Sequence, residues 1–462
     1  MLRRSLLALL ALVALLGFSP WVPRAQERPS STPVASGAAA SGTVQSAPTS
    51  TPTPSPDPTT APPSPTPTTS PSYTVLFDAR IVPTEKVAYV TIDLRDPDER
   101  MGKLEFRIDP ERHLDFAGDG NVEVNGETVV WTPLRQGGKL RYRFRINHLR
   151  NERSYDSRVS DSWAIFRGDD LVPRTRVHAA PGAHGDSRLR LRVPVGWSVV
   201  APYERLADGT YAVVDEDRRF DRPSGWIGMG DLGVLRETIA GTRVAIAAPK
   251  GQDFRRQDLL ALLRWTLPTL RETLPSLPDR LVIVGAGDPM WRGGLSGPRS
   301  LFAHADRASI SEDGTSPIVH ELVHTALRLP SGPGGDWVVE GLAELYSLRV
   351  LRRSGTISKR RYDRSIERLE KKARGVKNLR GDDVDAAETA RAALVLLELD
   401  KQLDASTDGR VRLDDVVREL VATHEDVTTE RFREVAERVS QTNLEEFFAR
   451  PELAAPKPSP RS

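Results

Sequence analysis

The five residues His320-Glu321-Leu322-Val323-His324 carry the densest chemistry in the chain. On a helix, positions four apart share a face, so both imidazoles can reach one cation while Glu321 directs a carboxylate at a water in the same sphere. The flanking residues predict that helix over 316–327. Ser316 suits the N-cap, Pro317 suits the first helical position, and Ile318, Val319, Leu322, Val323 and Leu327 supply an apolar face to bury. A catalytic zinc takes three protein ligands and leaves a position for water, so a third donor must come from nearby in space. Residues 325–335 contain no histidine. Beyond that Pro/Gly-rich loop, Asp336 is a candidate N-cap for a second helix, 336–353, stopped by Gly355. Helices joined by a short loop are antiparallel neighbours, which brings the first turn of the second beside the histidines and makes Glu340 the candidate third ligand. Glu344, one turn on, is either support for an imidazole Nδ1 or a solvated side chain.

Composition narrows the metal chemistry. The chain of 462 residues has no cysteine, which excludes disulfide scaffolds, thiol catalysis, Cys-ligated zinc and lipid attachment through an N-terminal cysteine. Imidazole and carboxylate donors suit Zn²⁺, one ion per chain. A structural zinc site would fill all four positions, usually with cysteine, so an open catalytic site is expected. The charge balance of 65 Lys+Arg against 63 Asp+Glu gives a formal +2, and no nucleic acid partner is expected from it.

The elements that must position these residues fall into segments. Residues 1–25 place Arg3 and Arg4 ahead of an apolar run ending at Phe18, the layout of a signal peptide or an N-terminal membrane anchor, with possible membrane attachment through residues 5–22. Residues 26–72 form a Pro/Ser/Thr-rich linker, expected to be disordered, whose single charge from residue 29 onward is Asp57. Residues 73–231 alternate with period two, as in Leu104, Phe106 and Ile108 or Leu140, Tyr142, Phe144 and Ile146, and Asn125-Gly126 marks a hairpin. These features predict an antiparallel β-sandwich, with Arg141, Arg143, Arg145, Arg188, Arg190 and Arg192 on solvated faces. From 232 to 375 short strands at 243–247 and 281–284 and helices at 258–265, 316–327, 336–353 and 358–374 are expected. Residues 376–449 continue as amphipathic helices that form a bundle, and 450–462 as a disordered tail.

His320-Glu321-Leu322-Val323-His324 followed by Trp337-Val338-Val339-Glu340-Gly341 resembles the gluzincin metallopeptidases, particularly aminopeptidase N and the glycyl aminopeptidase-like family. Their third ligand is the glutamate of a W-x-x-E-G element. Weaker likenesses are Phe220-Asp221-Arg222-Pro223, Gly293-Gly294-Leu295, Leu413-Asp414-Asp415-Val416-Val417 and Phe447-Phe448. The resemblance implies a thermolysin-like catalytic domain and peptide-bond hydrolysis. Only 15 residues lie between His324 and Glu340, a shorter loop than in aminopeptidase N relatives. Those relatives also carry a tyrosine that donates to the tetrahedral intermediate, where this chain reads Ala387-Glu388-Thr389-Ala390. Loss of such a donor costs about 10² to 10³ in rate, so Tyr362 or His304 is expected to replace it, or turnover is weak. Tyr346 points about 120° away from the ligand face by helical period. Residues 292–297 carry no acid to hold a free peptide N-terminus, so strict aminopeptidase action is not expected.

The expected protein is an α+β multidomain chain: an N-terminal antiparallel β-sandwich, then a thermolysin-like, mainly helical zinc-peptidase domain with a C-terminal helical bundle. It is expected to work outside the cytoplasm, secreted or anchored by its N-terminal segment. His320, His324 and Glu340 hold Zn²⁺, Glu321 is the general base, and a peptide or protein is the substrate. The alternative is a catalytically impaired, peptidase-like binding or structural protein displayed at the cell surface.

Overall fold

A computed structural model of the protein describes residues 72–214, 220–381 and 384–454. The expected leader or anchor, the linker up to residue 71 and the tail from 455 lie outside the described residues. Among the described residues no helix is long and apolar enough to cross a membrane.

The first half is built of β-strands. Tyr73–Val82 and Val87–Arg95 pair antiparallel in the register Thr74 to Arg95 through Val82 to Val87, with alternate residues buried. They sit within a seven-stranded sheet, beside a four-stranded sheet that runs Arg174–Ala179, Met101–Arg107, Thr128–Thr132, Asn121–Asn125 and a further sheet centred on Trp163–Arg167 and Trp226–Gly230. Phe77, Ile92, Phe106, Trp131, Phe144 and Met229 meet in one core shared by all three sheets. The Asn125-Gly126 turn closes its hairpin with Gly126 at φ +57°, a conformation that favours glycine.

The expectation of a purely antiparallel sandwich needs correcting: Tyr73–Val82 also pairs in parallel with Gly185–Arg192. Turn signals report only on hairpin neighbours, and these two strands are far enough apart in sequence for the long crossover that a parallel pair requires. The arginine rows are locally neutralised. Arg143 meets Asp115 at 2.8 Å, and Arg190 and Arg192 both reach Asp78.

The second half has a mixed five-stranded sheet in the order Leu232–Ile239, Thr242–Pro249, Arg280–Ala286, Ser300–His304, Gly294–Gly297. The expected strands are its second and third members, joined by the helix Arg256–Thr273 as a parallel crossover. That helix runs beyond the expected 258–265 and straight through Pro268, because Leu263, Leu267 and Leu270 keep one continuous face buried. Trp226 and Phe302 pack with ring centroids 5.3 Å apart, and the Trp226 amide donates to Ser300 Oγ at 2.7 Å, joining this sheet to the β-rich half.

Six longer helices follow: Pro317–Leu327, Asp336–Arg353, Lys359–Lys372, Ala386–Ser406, Leu413–Thr423 and Thr429–Ser440. Val319, Trp337, Leu342, Leu396 and Phe432 share one core with Leu301 of the sheet. Asp336–Arg353 and Ala386–Ser406 meet in a tight seam. A Cβ at Gly341 would lie 2.8 Å from Ala392 Cβ and 2.9 Å from Leu396 Cδ1. Gly341→Val is therefore expected to cost about 1 to 3 kcal/mol of stability, read as a lowered urea midpoint, by forcing apart the seam that carries Glu340.

Candidate metal centre

The helix Pro317–Leu327 starts where its cap residues place it. Ser316 Oγ accepts from the Val319 amide at 3.2 Å and donates to the Ser309 carbonyl at 2.5 Å, with Pro317 at the first turn. After a left-handed Arg328 at φ +50°, residues 329–335 are bound to the C-terminal part of the chain. The Gly332 amide donates to the Val427 carbonyl at 2.9 Å, the Val427 amide to the Pro330 carbonyl at 2.8 Å, and Thr429 Oγ1 to the Gly334 carbonyl at 2.6 Å. Trp337 Nε1 in turn donates to Thr429 Oγ1 at 2.9 Å, which fixes the first turn of Asp336–Arg353.

The N-cap of that second helix is Gly335, and Asp336 is its first residue, a correction to the expected Asp336 cap. A side chain at 335 would overlap the Val427 carbonyl, so the position that a polar cap would fill is reserved for glycine. Asp336 still places a carboxylate at the positive end of the helix dipole.

These constraints bring His320, His324 and Glu340 together, with one ligand atom from each lying within 4.8 Å of the others. Glu340 Oε2 is 3.3 Å from His320 Nε2, and Oε1 is 3.3 Å from His324 Nε2. The two Nε2 atoms are 3.1 Å apart, so all three donors aim at one point. Glu344 Oε2 lies 3.2 Å from His320 Nδ1, on the side of the ring away from that point.

Burial disfavours the charged form of the His320 imidazole, but hydrogen bonds to Glu340 and Glu344 and the charges of Glu321 and Glu344 outweigh it and raise its pKa. Burial also opposes ionisation of Glu340, yet its bonds to both histidines hold the carboxyl well below the usual range. Two nitrogens and a carboxylate oxygen converging without cysteine fit a Zn²⁺ site of the open, catalytic type.

No sequence family and no curated protein matches the chain. By structure it is similar to an aminopeptidase N family protein from Idiomarina loihiensis, with TM-score 0.63, 14% identity, and 82% of this chain and 76% of that one covered. An M1 zinc metallopeptidase variant from Deinococcus radiodurans, bound to a Tyr-Ser-Ala substrate, gives TM-score 0.58 at 15% identity over 84% of this chain and 95% of that one. Leukotriene A4 hydrolase from Saccharomyces cerevisiae gives 0.52 at 15% over 84% and 69%. The chain shares the fold of the M1 zinc peptidases.

Within that fold the donors open into a cleft of about 1160 Å³. His320, Glu321, Glu340 and Glu344 line it, and so do Gly293 and Gly294 of the edge strand. A Cβ at Gly294 would sit 2.9 Å from Glu321 Cγ, so the absence of a side chain there lets the strand approach the carboxylate. That tight contact between residues 27 apart has no signature in the sequence.

The two expected oxyanion donors do not line this cleft. His304 is fully buried at the end of its strand, its Nε2 3.4 Å from Asp288 and its Nδ1 accepting from the Asp306 amide at 3.2 Å, and burial lowers its pKa. Tyr362 packs against the helical core near Arg349 and Asp400, and burial raises its pKa. Tyr346 is buried too and donates to Asp414 at 2.5 Å. Thr389 and Ala390, from the stretch where the relatives carry their tyrosine, do line the cleft, but Thr389 Oγ1 already donates to the Asp385 carbonyl at 2.8 Å.

Two consequences are measurable. Glu344→Gln keeps the shape but weakens the hold on His320 Nδ1, and zinc affinity is expected to fall about 10- to 100-fold in a chelator competition. Because the metal must displace the proton that the carboxylates stabilise on His320, zinc affinity is expected to tighten as pH rises from about 6 to about 8, with proton release detectable in buffers of different ionisation heat.

Proposed function

We propose that the protein is an exported, zinc-dependent metallopeptidase that hydrolyses peptide bonds. The observation that carries this reading is the convergence of His320, His324 and Glu340 beside a cleft that His320, Glu340 and Glu321 line. The M1 fold supports it, and the layout of a signal or anchor at residues 1–25 supports export to a secreted or anchored, extracytoplasmic location. The division into a β-domain at 73–231, a thermolysin-like zinc domain at 232–375 and a helical subdomain at 376–449 belongs to the same proposal.

His320, His324 and Glu340 would hold the zinc, with Glu344 orienting His320. Bound zinc supplies Lewis acidity and makes a water easier to deprotonate. Glu321 accepts the proton of the attacking water and hands it to the leaving amine, the two proton transfers that amide hydrolysis requires. Among the described residues the edge strand Gly294–Gly297 pairs on one side only, with Ser300–His304, so an extended peptide can add along its other side. With no acid in residues 292–297 to hold a free N-terminus, this mode admits internal bonds as well as terminal ones.

A catalytically impaired, zinc-holding binding protein is favoured by one observation, the absence of any tyrosine among the described residues that line the cleft. Metal analysis combined with cleavage of a peptide library separates the two readings. The wild type is expected to hold stoichiometric zinc and to cleave. Glu321→Gln is expected to retain zinc and lose about 10² to 10⁴ in rate. A folded wild type without zinc sinks both readings, and a zinc-loaded wild type that cleaves nothing leaves the binding protein.

A further inference from the structure

We propose that the cleft wall formed by the helix Lys359–Lys372 selects peptides carrying a carboxylate beside the bond to be cleaved, either an Asp or Glu side chain or a free C-terminus. This deepens the peptidase reading and rests on it. Ser365, Arg368, Leu369, Lys371 and Lys372 line the cleft, positions spaced three and four apart that share one helical face. Glu367 and Glu370, from the same two turns, do not line it. A helix dipole accounts for lysines in a last turn, but it does not sort lysines and glutamates between faces.

The two arginines along the cleft already donate to backbone carbonyls. Arg368 pairs with Asp313 and donates to the Glu312 carbonyl at 3.1 Å. Asp306, also lining the cleft, is 3.5 Å from Arg292, and Arg307 Nε donates to the Arg292 carbonyl at 2.7 Å. Lys371 and Lys372 are exposed, and neither forms an ion pair among the described residues. Lys372 does lie close enough to Asp385 to help hold its carboxyl low, after two backbone hydrogen bonds. Glu321 and Glu344 repel a substrate carboxylate, whereas the lysines attract it to the helix wall. With no acid on the glycine strand for a substrate amine, the wall that carries Lys371 and Lys372 favours an anionic ligand group.

The test uses the zinc-loaded full chain and four peptides of one sequence, with Glu or Gln beside the cleaved bond and a free or amidated C-terminus. Binding is read by fluorescence anisotropy on the non-cleaving Glu321→Gln protein, and kcat and KM on the wild type. Carboxylate-bearing peptides are expected to bind about 5-fold more tightly, the preference appearing in KM, weakening with added salt and vanishing in Lys371→Gln/Lys372→Gln. The arm with the larger preference identifies the side chain or the terminus as its source. Cleavage with equal affinity for acid and amide peptides overturns the proposal while leaving the peptidase reading standing. So does a preference that survives the double substitution, or, should that variant misfold, one that ignores salt in the wild type. No binding of any of the four to the Glu321→Gln protein, with no cleavage by the wild type, overturns this proposal, whereas the peptidase reading falls only if the zinc-loaded wild type also cleaves nothing in the peptide library.

Discussion

Three donors from two helices must converge within a few ångströms, and the structure meets that constraint by fastening the loop between the helices to a distant stretch of chain. Val427 exchanges hydrogen bonds with Pro330 and Gly332, Thr429 takes the Gly334 carbonyl, and Trp337 returns to Thr429. Val427, Gly334, Trp337 and Thr429 are buried, and leaving one of their polar groups without a partner would cost about 1 to 3 kcal/mol. The loop is therefore over-determined. Glu340 stands three residues beyond Trp337, so the position of its carboxylate follows from contacts made by a helix that contributes nothing to the metal site itself.

The cluster shows why such rigidity is needed. Two carboxylates and two imidazoles in one part-buried pocket are costly unless each charge has a partner, and the arrangement supplies one. In the metal-free chain His320 has a raised pKa, so its contribution to stability is present at low pH and is lost as pH rises through the folded value. Glu340 has a lowered one, so its contribution is present at higher pH and is lost as pH falls through its folded value. The two windows overlap around neutrality, where His320 bridges Glu340 and Glu344. A cation entering between the Nε2 atoms takes over from that proton while leaving Glu344 on Nδ1, so the same side chains stay paired in both states.

What could be read in the sequence was what is encoded locally. The motif helix announces itself through Ser316, Pro317 and its apolar face, and the second ligand helix through a short loop and the spacing of Trp337, Glu340 and Gly341. The Gly355 stop is also local, at φ +74° directly after the helix end. The misreadings came where tertiary contact decides. Asp336 has the right chemistry for a cap, but the Val427 carbonyl reserves the preceding position for glycine. Tyr362 and His304 are close to the site in sequence, yet one packs against the helical core and the other is buried 3.4 Å from Asp288, because the elements that flank them decide where each side chain goes. The parallel pairing of Tyr73–Val82 with Gly185–Arg192 and the approach of Gly294 to Glu321 are likewise properties of the assembled chain.

The walls of the cleft are not independent of its floor. The segment between the strand Ser300–His304 and the motif helix is held on one side by Ser316, whose hydroxyl caps that helix while donating to Ser309. On the other side Arg361 donates to the Ser311 carbonyl at 2.6 Å and Ser365 Oγ to the Asp313 carbonyl at 2.6 Å, both from the helix Lys359–Lys372. A Cβ at Gly314 would lie 2.5 Å from Ser365 Oγ, and with φ at +82° that residue turns the segment tightly against the helix. The N-cap of the histidine helix and the basic wall are thus tied through about seven residues of backbone, with little slack in an irregular stretch whose carbonyls are committed. A displacement of the wall by a bound ligand therefore has a short, hydrogen-bonded route to the first turn before His320. The edge strand reaches the same helix about one turn further on, where Gly294 meets Glu321, so the motif helix is braced from both walls of the cleft it serves.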